Sequence, residues 1–251
     1  MTLRLVTFAA AWGLPTAGPF GLKLEACLQM LGVPYERQYQ NNSRKGPKRK
    51  SPWIEDGDVV LGDTELILGH IEATMGKALD RELSETERAH AHVLRRMLEE
   101  HYHQVFEYEL CVRDEGFALL REMFAGDIPA LLRPIVLPSI RRAMKHHLFE
   151  RGIARHSADD VIAMGYADID ALSSWLGDRE WFITDHPTKA DASAFGLLAV
   201  SIRSELPTPV CRYARTKQNL VAFVERGIAR WVHHKQERPD ERGVIAERAS
   251  A

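Results

Sequence analysis

The chain has 251 residues, of which 45% are hydrophobic, and its formal net charge is -2. This hydrophobic content excludes a globally disordered chain, and the near-neutral charge gives no electrostatic basis for binding a nucleic-acid backbone or an anionic membrane. We therefore expect one large domain or two smaller ones, each with a packed core.

The cysteines and the first residues indicate the cellular compartment. Cys27, Cys111 and Cys211 are far apart and show neither a CxxC motif nor metal-ligand spacing, which predicts buried free thiols in a reducing compartment. The opening run MTLRLVTFAAAWGLP is too short for a spanning helix and weak as a signal peptide. The expectation is a soluble cytoplasmic protein.

The first part of the chain predicts a strand, a helix and a second strand. Residues 3–8 alternate in polarity and lead into a loop rich in Gly and Pro. Pro19 suits the first turn of a helix, and Gly32 suits its end. Residues 34–39 predict the second strand, so the order is that of a parallel crossover unit.

A hairpin and a helix follow. Residues 53–55 and 59–61 flank Asp56-Gly57, a dipeptide typical of tight hairpin turns. Residues 64–75 then predict a helix that ends at Gly76. The order βαβ-ββα is complete within residues 1–77, which we predict to be an α/β domain.

Beyond Lys77 the patterns are helical only. Ser84 and Glu87 have the spacing of a capping box at the start of a helix that continues to about residue 110. Further helices are predicted at 115–125, 128–153, 158–176, 188–204 and 217–233. We predict an all-α domain at 84–236 and a polar tail at 237–251.

Thr188 and Asp191 also have capping-box spacing. Each side chain would satisfy a backbone N–H of the other at the start of the helix 188–204. That helix is apolar nearly all round, so we expect it to be the buried axis of the second domain. This pair is a folding site rather than a reactive one.

Two short motifs are candidates for binding a peptide-like ligand. If the Ser51-Pro52 bond is cis, the backbone of Ser51 can pair with an extended peptide, whereas a trans bond would start an ordinary edge strand. Asp63-Thr64, where a strand ends and a helix begins, suits an ammonium group and a carboxylate, although a plain N-cap is the alternative.

Three stretches resemble the glutathione transferase superfamily: GPFGLKLEACLQMLGVPYE (18–36), KSPWIEDGDVVLGDTELILGHI (50–71) and HPTKADASAFGLLA (186–199). The first two are most similar to the branch that contains the failed axon connections proteins, the metaxins and their bacterial relatives. The third resembles the capping box of the core helix in the second domain of these transferases. The resemblance implies a thioredoxin-like N-terminal domain packed on an all-α C-terminal bundle.

The resemblance also implies glutathione as an extended co-substrate. Its γ-glutamyl end is expected at Asp63 and Thr64, its cysteinyl backbone at Ser51 beside Pro52, and its sulfur at the loop before Phe20. The basic loop at 44–50 is either a solvated loop or a guide for this anionic tripeptide, with Lys50 or Lys48 near the glycyl carboxylate.

The chain departs from the superfamily at the start of the first helix. Relatives commonly carry Ser or Cys before the Pro-Phe pair and often Cys after it, but here Gly18 and Gly21 occupy these positions. The donor to the sulfur is then Thr16, the backbone N–H groups around Gly18 and Phe20, or a tyrosine of the helical domain, Tyr102 or Tyr108. We prefer Thr16 as the catalytic residue, and loss of catalysis is the remaining possibility.

The predicted function is conjugation of glutathione to a small hydrophobic electrophile, in a pocket with Trp12 at its rim and Tyr102 and Phe106 as further walls. The alternative is a non-catalytic binding or scaffold protein of the same fold. Thiol-disulfide exchange is disfavoured because no Cys stands at the start of the first helix. We expect a homodimer with no metal, no nucleic acid and no membrane partner, and we interpret the histidines as residues of solvated faces.

Overall fold

The structure is a computed structural model that describes residues 2–124, 126 and 128–232. The polar tail predicted at 237–251 and the last residues of the predicted helical domain lie outside this part.

A four-stranded mixed sheet forms the N-terminal half. Its strands are β1 (Leu3–Thr7), β2 (Tyr35–Tyr39), β3 (Trp53–Asp56) and β4 (Val59–Gly62), in the order β2-β1-β3-β4. β1 is parallel to β2 and antiparallel to β3, and β3 is antiparallel to β4. Helices α1 (Pro19–Met30) and α2 (Thr64–Met75) complete the predicted βαβ-ββα order.

The core of this half joins the sheet to its two helices. Apolar side chains of β1 and β3 pack against one face of α1 and one face of α2, where their burial supplies the main stabilising term. The buried members are Leu3, Leu5, Leu24, Leu28, Val33, Ile54, Ile67 and Ile71.

The remaining described chain is helical, as predicted. A long continuous helix consists of α3 (Glu85–Arg96), a π-helical segment (Met97–Tyr102) and α4 (His103–Cys111). It is followed by α5 (Asp114–Phe124), α6 (Arg133–Glu150), α7 (Ala158–Leu176), α8 (Lys189–Arg203), α9 (Pro209–Thr216) and α10 (Gln218–Trp231).

The start of α6 and the presence of α9 differ from the sequence prediction. α6 begins at Arg133 rather than at residue 128, because a 3₁₀ turn (Ala130–Leu132) precedes it. α9 was not predicted, since Pro207 and Pro209 are typical of a loop. Pro209 instead takes the first helical position, where its missing N–H leaves no hydrogen bond unmade.

Both predicted capping boxes are present. The Thr188 box is fully buried: Asp191 accepts hydrogen bonds from the N–H and the hydroxyl of Thr188, both at 2.8 Å, and from the N–H of Phe182 at 2.7 Å. The Ser84 box is exposed. Residues 190–202 of α8 are all buried, which confirms this helix as the axis of the helical half.

α1 is shared by the two halves. One face packs on the sheet, while Leu22, Ala26 and Cys27 join the larger core around α8. α1 and α8 approach so closely that a Cβ added at Gly196 of α8 would lie 2.2 Å from the carbonyl oxygen of Pro19 in α1. The start of α1 is thereby fixed at the boundary between the halves.

Candidate functional site

The strand register brings the predicted binding motifs to one end of the sheet. Trp53 lies between Val6 on one side and Gly62 on the other. The first loop follows β1, Ser51-Pro52 precedes Trp53, and Asp63-Thr64 follows Gly62. All three segments therefore lie at the same end of the strands, which is the arrangement that a site for an extended tripeptide requires.

Ser51-Pro52 has the predicted cis bond. Pro52 is buried, and the hydroxyl oxygen of Ser51 is buried without a hydrogen-bond partner in the described part of the chain. Since buried hydroxyls are normally paired, an unpaired one at this edge fits a polar ligand such as glutathione.

Asp63 is the N-cap of α2. Its Oδ1 accepts from the N–H of Glu65 at 3.0 Å and from the N–H of Leu66 at 3.3 Å. Asp63 has a φ of 84°, which is strained for a residue with a side chain. The side chain is exposed, and its second oxygen makes no hydrogen bond with residues 2–124, 126 or 128–232, so it can meet an ammonium group. Two N–H groups of the helix end are already used by Oδ1.

Thr64 follows as the first residue of α2, and its side chain is buried. The N-terminus of this helix carries a partial positive charge that favours a carboxylate. The pair can therefore accommodate both charges of an amino-acid head group.

The start of α1 presents backbone donors. Gly18 is the N-cap and its N–H donates to the Thr16 hydroxyl at 3.1 Å. By helix geometry, the N–H groups of Phe20 and Gly21 have no carbonyl partner within α1. Together with the helix dipole they favour a negative charge, such as a thiolate, at this position.

The structure argues against Thr16 as the residue that meets the sulfur. Its side chain is fully buried, and its hydroxyl lies 3.0 Å from the hydroxyl of Thr7 while accepting from Gly18. A hydroxyl engaged in this way holds the shape of the first loop. Of the donors considered from the sequence, the backbone N–H of Phe20 fits the geometry best.

Gly18 and Gly21 are sites of close packing. A Cβ at Gly18 would lie 2.8 Å from the Phe8 ring, and one at Gly21 would lie 2.3 Å from the hydroxyl oxygen of Thr7. Side chains at these positions would therefore displace their neighbours. The first loop and the start of α1 are therefore packed closely around these two glycines.

The structure corrects the prediction that Tyr102 and Phe106 line the electrophile pocket. Tyr102 is fully buried and its hydroxyl donates to Ser201 at 2.9 Å, so it belongs to the core and does not line an open pocket. Phe106 is 5% exposed and packs in the same core. Both side chains point inward because they lie on the face of the long helix that packs against the rest of the bundle.

Two other aromatic residues were considered from the sequence. Trp12 occupies a two-residue turn between Ala11 and Leu14 and is half-buried against the helical core. Its role at the pocket rim stays a prediction. Tyr108 lines a cavity of about 380 Å³ beside Arg113 and Arg141, which is not the edge of the sheet where the binding motifs meet.

The helical half contributes a polar cluster that the sequence interpretation missed. The His103 ring packs edge-on against Phe20 with centroids 4.8 Å apart, and Glu107 and Arg151 lie beside it. His103 is only 15% exposed, so its assignment to a solvated face was wrong. The signal that could have found it is the spacing of Glu99, His103 and Glu107, which places three polar residues on one helical stripe.

Electrostatics connect this cluster to the Ser51 loop. Burial lowers the pKa of His103 to about 3, and the charges of Arg151 and Lys50 act in the same direction. Burial raises the pKa of Glu107, against the opposing effect of Arg151 and Lys50. The charge of Lys50, the residue before Ser51, thus acts on both side chains from the other half of the protein.

The three cysteines are buried and unreactive. Cys27, Cys111 and Cys211 are free and buried, as predicted, and burial raises the pKa of each thiol to about 12. Thiols of this kind are inert at neutral pH.

The described residues contain no group of three or more His, Cys, Asp or Glu side chains placed to hold a metal ion. None of the helices within 2–124, 126 and 128–232 combines the length and apolar character needed to cross a membrane.

Comparison with protein families gives two matches. Residues 19–116 match the model described as "Glutathione S-transferase N-terminal domain", and residues 165–227 match "Glutathione S-transferase, C-terminal domain".

Comparison with curated proteins finds relatives of different character. Isoprene-epoxide--glutathione S-transferase of Rhodococcus sp. (strain AD45) is 27% identical over 235 residues, which are 87% of this chain and 94% of that protein. Failed axon connections of Drosophila melanogaster is 25% identical over 89% of this chain and 56% of that protein. A metaxin-1 homolog of Caenorhabditis briggsae is 23% identical over 89% of this chain and 72% of that protein.

Solved structures share the fold. A beta-etherase from Sphingobium sp. strain SYK-6 superposes with a TM-score of 0.62 at 16% identity, covering 92% of this chain and 96% of that one. A glutathione transferase family member from Pseudomonas fluorescens, solved with two glutathione bound, has a TM-score of 0.58 at 17% identity and covers 91% of this chain and 89% of that one.

Proposed function

Since this chain belongs to the glutathione transferase superfamily, we propose that it conjugates glutathione to a small hydrophobic electrophile. The observation that carries the proposal is the convergence at one edge of the sheet: the start of α1, the unpaired hydroxyl of Ser51 and the first turn of α2. A protein that used the fold only as a scaffold would not need these groups to converge.

Each part of glutathione has a matching group in this proposal. Asp63 meets the ammonium group of the γ-glutamyl end, and Thr64 with its helix N-terminus meets the carboxylate. The backbone of Ser51 pairs with the cysteinyl residue. Lys50 is exposed beside Ser51 and meets the glycyl carboxylate.

The sulfur lies at the start of α1 in this proposal. The N–H of Phe20 donates to it, and the helix dipole lowers the pKa of the thiol, so that the thiolate is available as the nucleophile. Gly18 allows the tripeptide to approach the backbone, and Thr16 positions the loop. Trp12 borders the space for the electrophile.

The relatives indicate which electrophile to test first. The Rhodococcus relative is named for isoprene epoxide, so a small epoxide is the natural first substrate, with an aryl halide as a general one. Glutathione itself is supported by solved members of the fold that carry it.

A second candidate function is non-catalytic binding or scaffolding. Gly18 and Gly21 favour it, because no side-chain hydroxyl or thiol stands at the start of α1. Relatives named failed axon connections and metaxin point in the same direction.

Calorimetric titration with glutathione, followed by conjugation assays with a small epoxide and an aryl halide, separates these functions. The transferase requires saturable binding of glutathione and turnover of at least one electrophile. Binding without turnover supports the second function or a narrow substrate range, and absence of glutathione binding would rule out the transferase.

We also propose that the protein acts as a cytoplasmic homodimer. Three buried free thiols are compatible with a reducing compartment. Apolar side chains are exposed on β4, α2 and α3, at Val59, Val60, Leu66 and Val93. Light scattering after size-exclusion chromatography tests the dimer.

A further inference from the structure

Glu99, His103 and Glu107 lie on one face of the long helix, which runs antiparallel to α1. Near the middle of α1, Nζ of Lys23 lies 2.8 Å from Oε1 of Glu99. In the first turn of α1, the ring of Phe20 meets that of His103. Glu107 is one helical turn beyond His103, about 6 Å further along the axis. It therefore extends past the start of α1, beside the place proposed for the sulfur.

The Glu107 carboxyl group is enclosed but incompletely paired. Its Oε1 lies 3.8 Å from Nε2 of His103, and its Oε2 lies 3.5 Å from Nη1 of Arg151. The side chain is 16% exposed, and Oε2 is buried without a hydrogen bond among the described residues. A buried carboxyl oxygen that has a cation at 3.5 Å but makes no hydrogen bond within the described chain is free to make one with a ligand.

The surroundings of Glu107 shift the pKa of its carboxyl group upwards. Burial raises the pKa of Glu107, and the cations Arg151 and Lys50 oppose this only in part. The neighbouring imidazole of His103 stays neutral at physiological pH, because burial lowers its pKa to about 3. Glu99 and His147 also act on His103, and Glu100 lies 3.7 Å from Arg151.

We propose that Glu107 is a catalytic acid that protonates the oxygen of an epoxide as glutathione opens the ring, with His103 and Arg151 as positioning residues. This proposal rests on the proposed transferase function. It assigns to the helical half the chemistry on the electrophile, which the groups at the sheet edge do not supply.

The thiol of bound glutathione releases its proton to solvent, and the thiolate forms a bond to a ring carbon. The carbon–oxygen bond breaks and its electron pair goes to the oxygen, which takes the proton of the Glu107 carboxyl group. The product is a thioether alcohol, and the Glu107 carboxylate regains a proton from water before the next turnover.

This role makes the electrophile class testable. An epoxide oxygen must be protonated as the ring opens, whereas the halide that leaves an aryl halide departs without a proton. Glu107 should therefore matter for the first reaction and not for the second. General acid catalysis of this kind contributes about 100-fold or more to a rate.

The experiment compares Glu107→Gln with the wild type on both substrates, at saturating glutathione. The variant keeps the shape of the side chain but has no transferable proton. Epoxide turnover should fall about 100-fold, aryl halide turnover should change less than about twofold, and calorimetric affinity for glutathione should stay the same. Glu100→Gln is the matched control, because Glu100 lies on the same helix and also approaches Arg151 but is exposed.

A pH profile gives a second reading. With the wild type, the epoxide rate divided by the aryl halide rate should fall as pH rises and Glu107 loses its proton, and this ratio should be flat for Glu107→Gln. Equal losses on both substrates, or no loss on either, would overturn the proposal. So would a wild type that turns over the aryl halide but not the epoxide. If the wild type does not bind glutathione, the proposed function itself fails, which the calorimetry shows separately.

Discussion

Lys23 of α1 and Glu99 of the π-helical segment form an ion pair across the boundary between the sheet half and the helical half, with Nζ 2.8 Å from Oε1. Both side chains are buried, with exposed fractions of 3% for Lys23 and 9% for Glu99. Glu99 also accepts from Ser193 of α8 at 2.6 Å, so one carboxylate ties α1, the long helix and the axis of the bundle together. Burial alone would raise the pKa of Glu99. The charge of Lys23 and the hydrogen bonds from Lys23 and Ser193 outweigh burial, so the pKa of Glu99 is lowered.

Removing Lys23 should be costly, because Oε1 of Glu99 would lose a buried charge-assisted hydrogen bond, while Arg96 would still pair with Oε2 at 2.7 Å. We expect Lys23→Met to lower the free energy of unfolding by about 1.5–3 kcal/mol. Arg4→Met is the control, since Arg4 and Glu55 form an exposed pair that should contribute about 1 kcal/mol or less. Urea unfolding measures both, and similar losses for the two variants would show that the buried pair has no special weight.

Local chemistry explains why much of the fold could be predicted from the sequence. The hairpin turn at Asp56-Gly57 and the Thr188–Asp191 capping box are each made by residues close together in sequence. The local sequence was therefore sufficient to predict them. The π-helical segment has no comparable signal. It depends on contacts such as that between Glu99 and Lys23, which are distant in sequence.

The candidate site was predictable only where the backbone defines it. Asp63-Thr64 and Ser51-Pro52 follow from strand order and turn chemistry. The inward direction of Thr16 depends on its neighbour Thr7. The burial of His103 likewise depends on a residue from the other half of the protein, and no single-helix pattern reports such a partner.

Restoring the serine of related proteins at the start of α1 should not improve this protein. A Cβ at Gly18 would lie 2.8 Å from the Phe8 ring, so Gly18→Ser must displace that ring or the loop. We expect no increase in kcat and a loss of about 1–3 kcal/mol in unfolding free energy. Gly69→Ser is the control, because a Cβ at Gly69 meets no atom within 4 Å. An increase in kcat of tenfold or more would mean that the missing hydroxyl limits the reaction.

Asp63 serves as a helix cap and, in the proposed function, as the partner of an ammonium group. Asp63→Asn separates the two roles, since Asn is equally good as an N-cap and tolerates a positive φ, but lacks the charge. We expect the Kd for glutathione to rise about tenfold, the loss of one charge-assisted hydrogen bond, with little change in Tm. Asp58→Asn, in the exposed hairpin turn, controls for net charge. Unchanged affinity in Asp63→Asn would place the ammonium group elsewhere.

The buried neutral imidazole of His103 should give the protein a measurable sensitivity to acid. Its pKa is about 3 in the folded protein, because of burial and the charges of Arg151 and Lys50, against an ordinary value of about 6.5. Between these values the unfolded chain binds one proton more at this residue than the folded chain does. The free energy of unfolding therefore falls as pH falls from about 6.5 towards 3.

Replacing His103 by a side chain that does not titrate should remove this contribution. We expect the stability of His103→Gln to decline less steeply than that of the wild type below pH 6.5, by up to about 1.4 kcal/mol for each pH unit. Urea midpoints at half-unit steps from pH 4.5 to 8 measure the two curves. Above pH 7.5 the curves should run parallel, which serves as the internal control because His103 is then neutral in both states. Parallel curves over the whole range would mean that His103 takes up a proton in the folded protein as readily as in the unfolded chain, and that the cluster beside Phe20 is open to water.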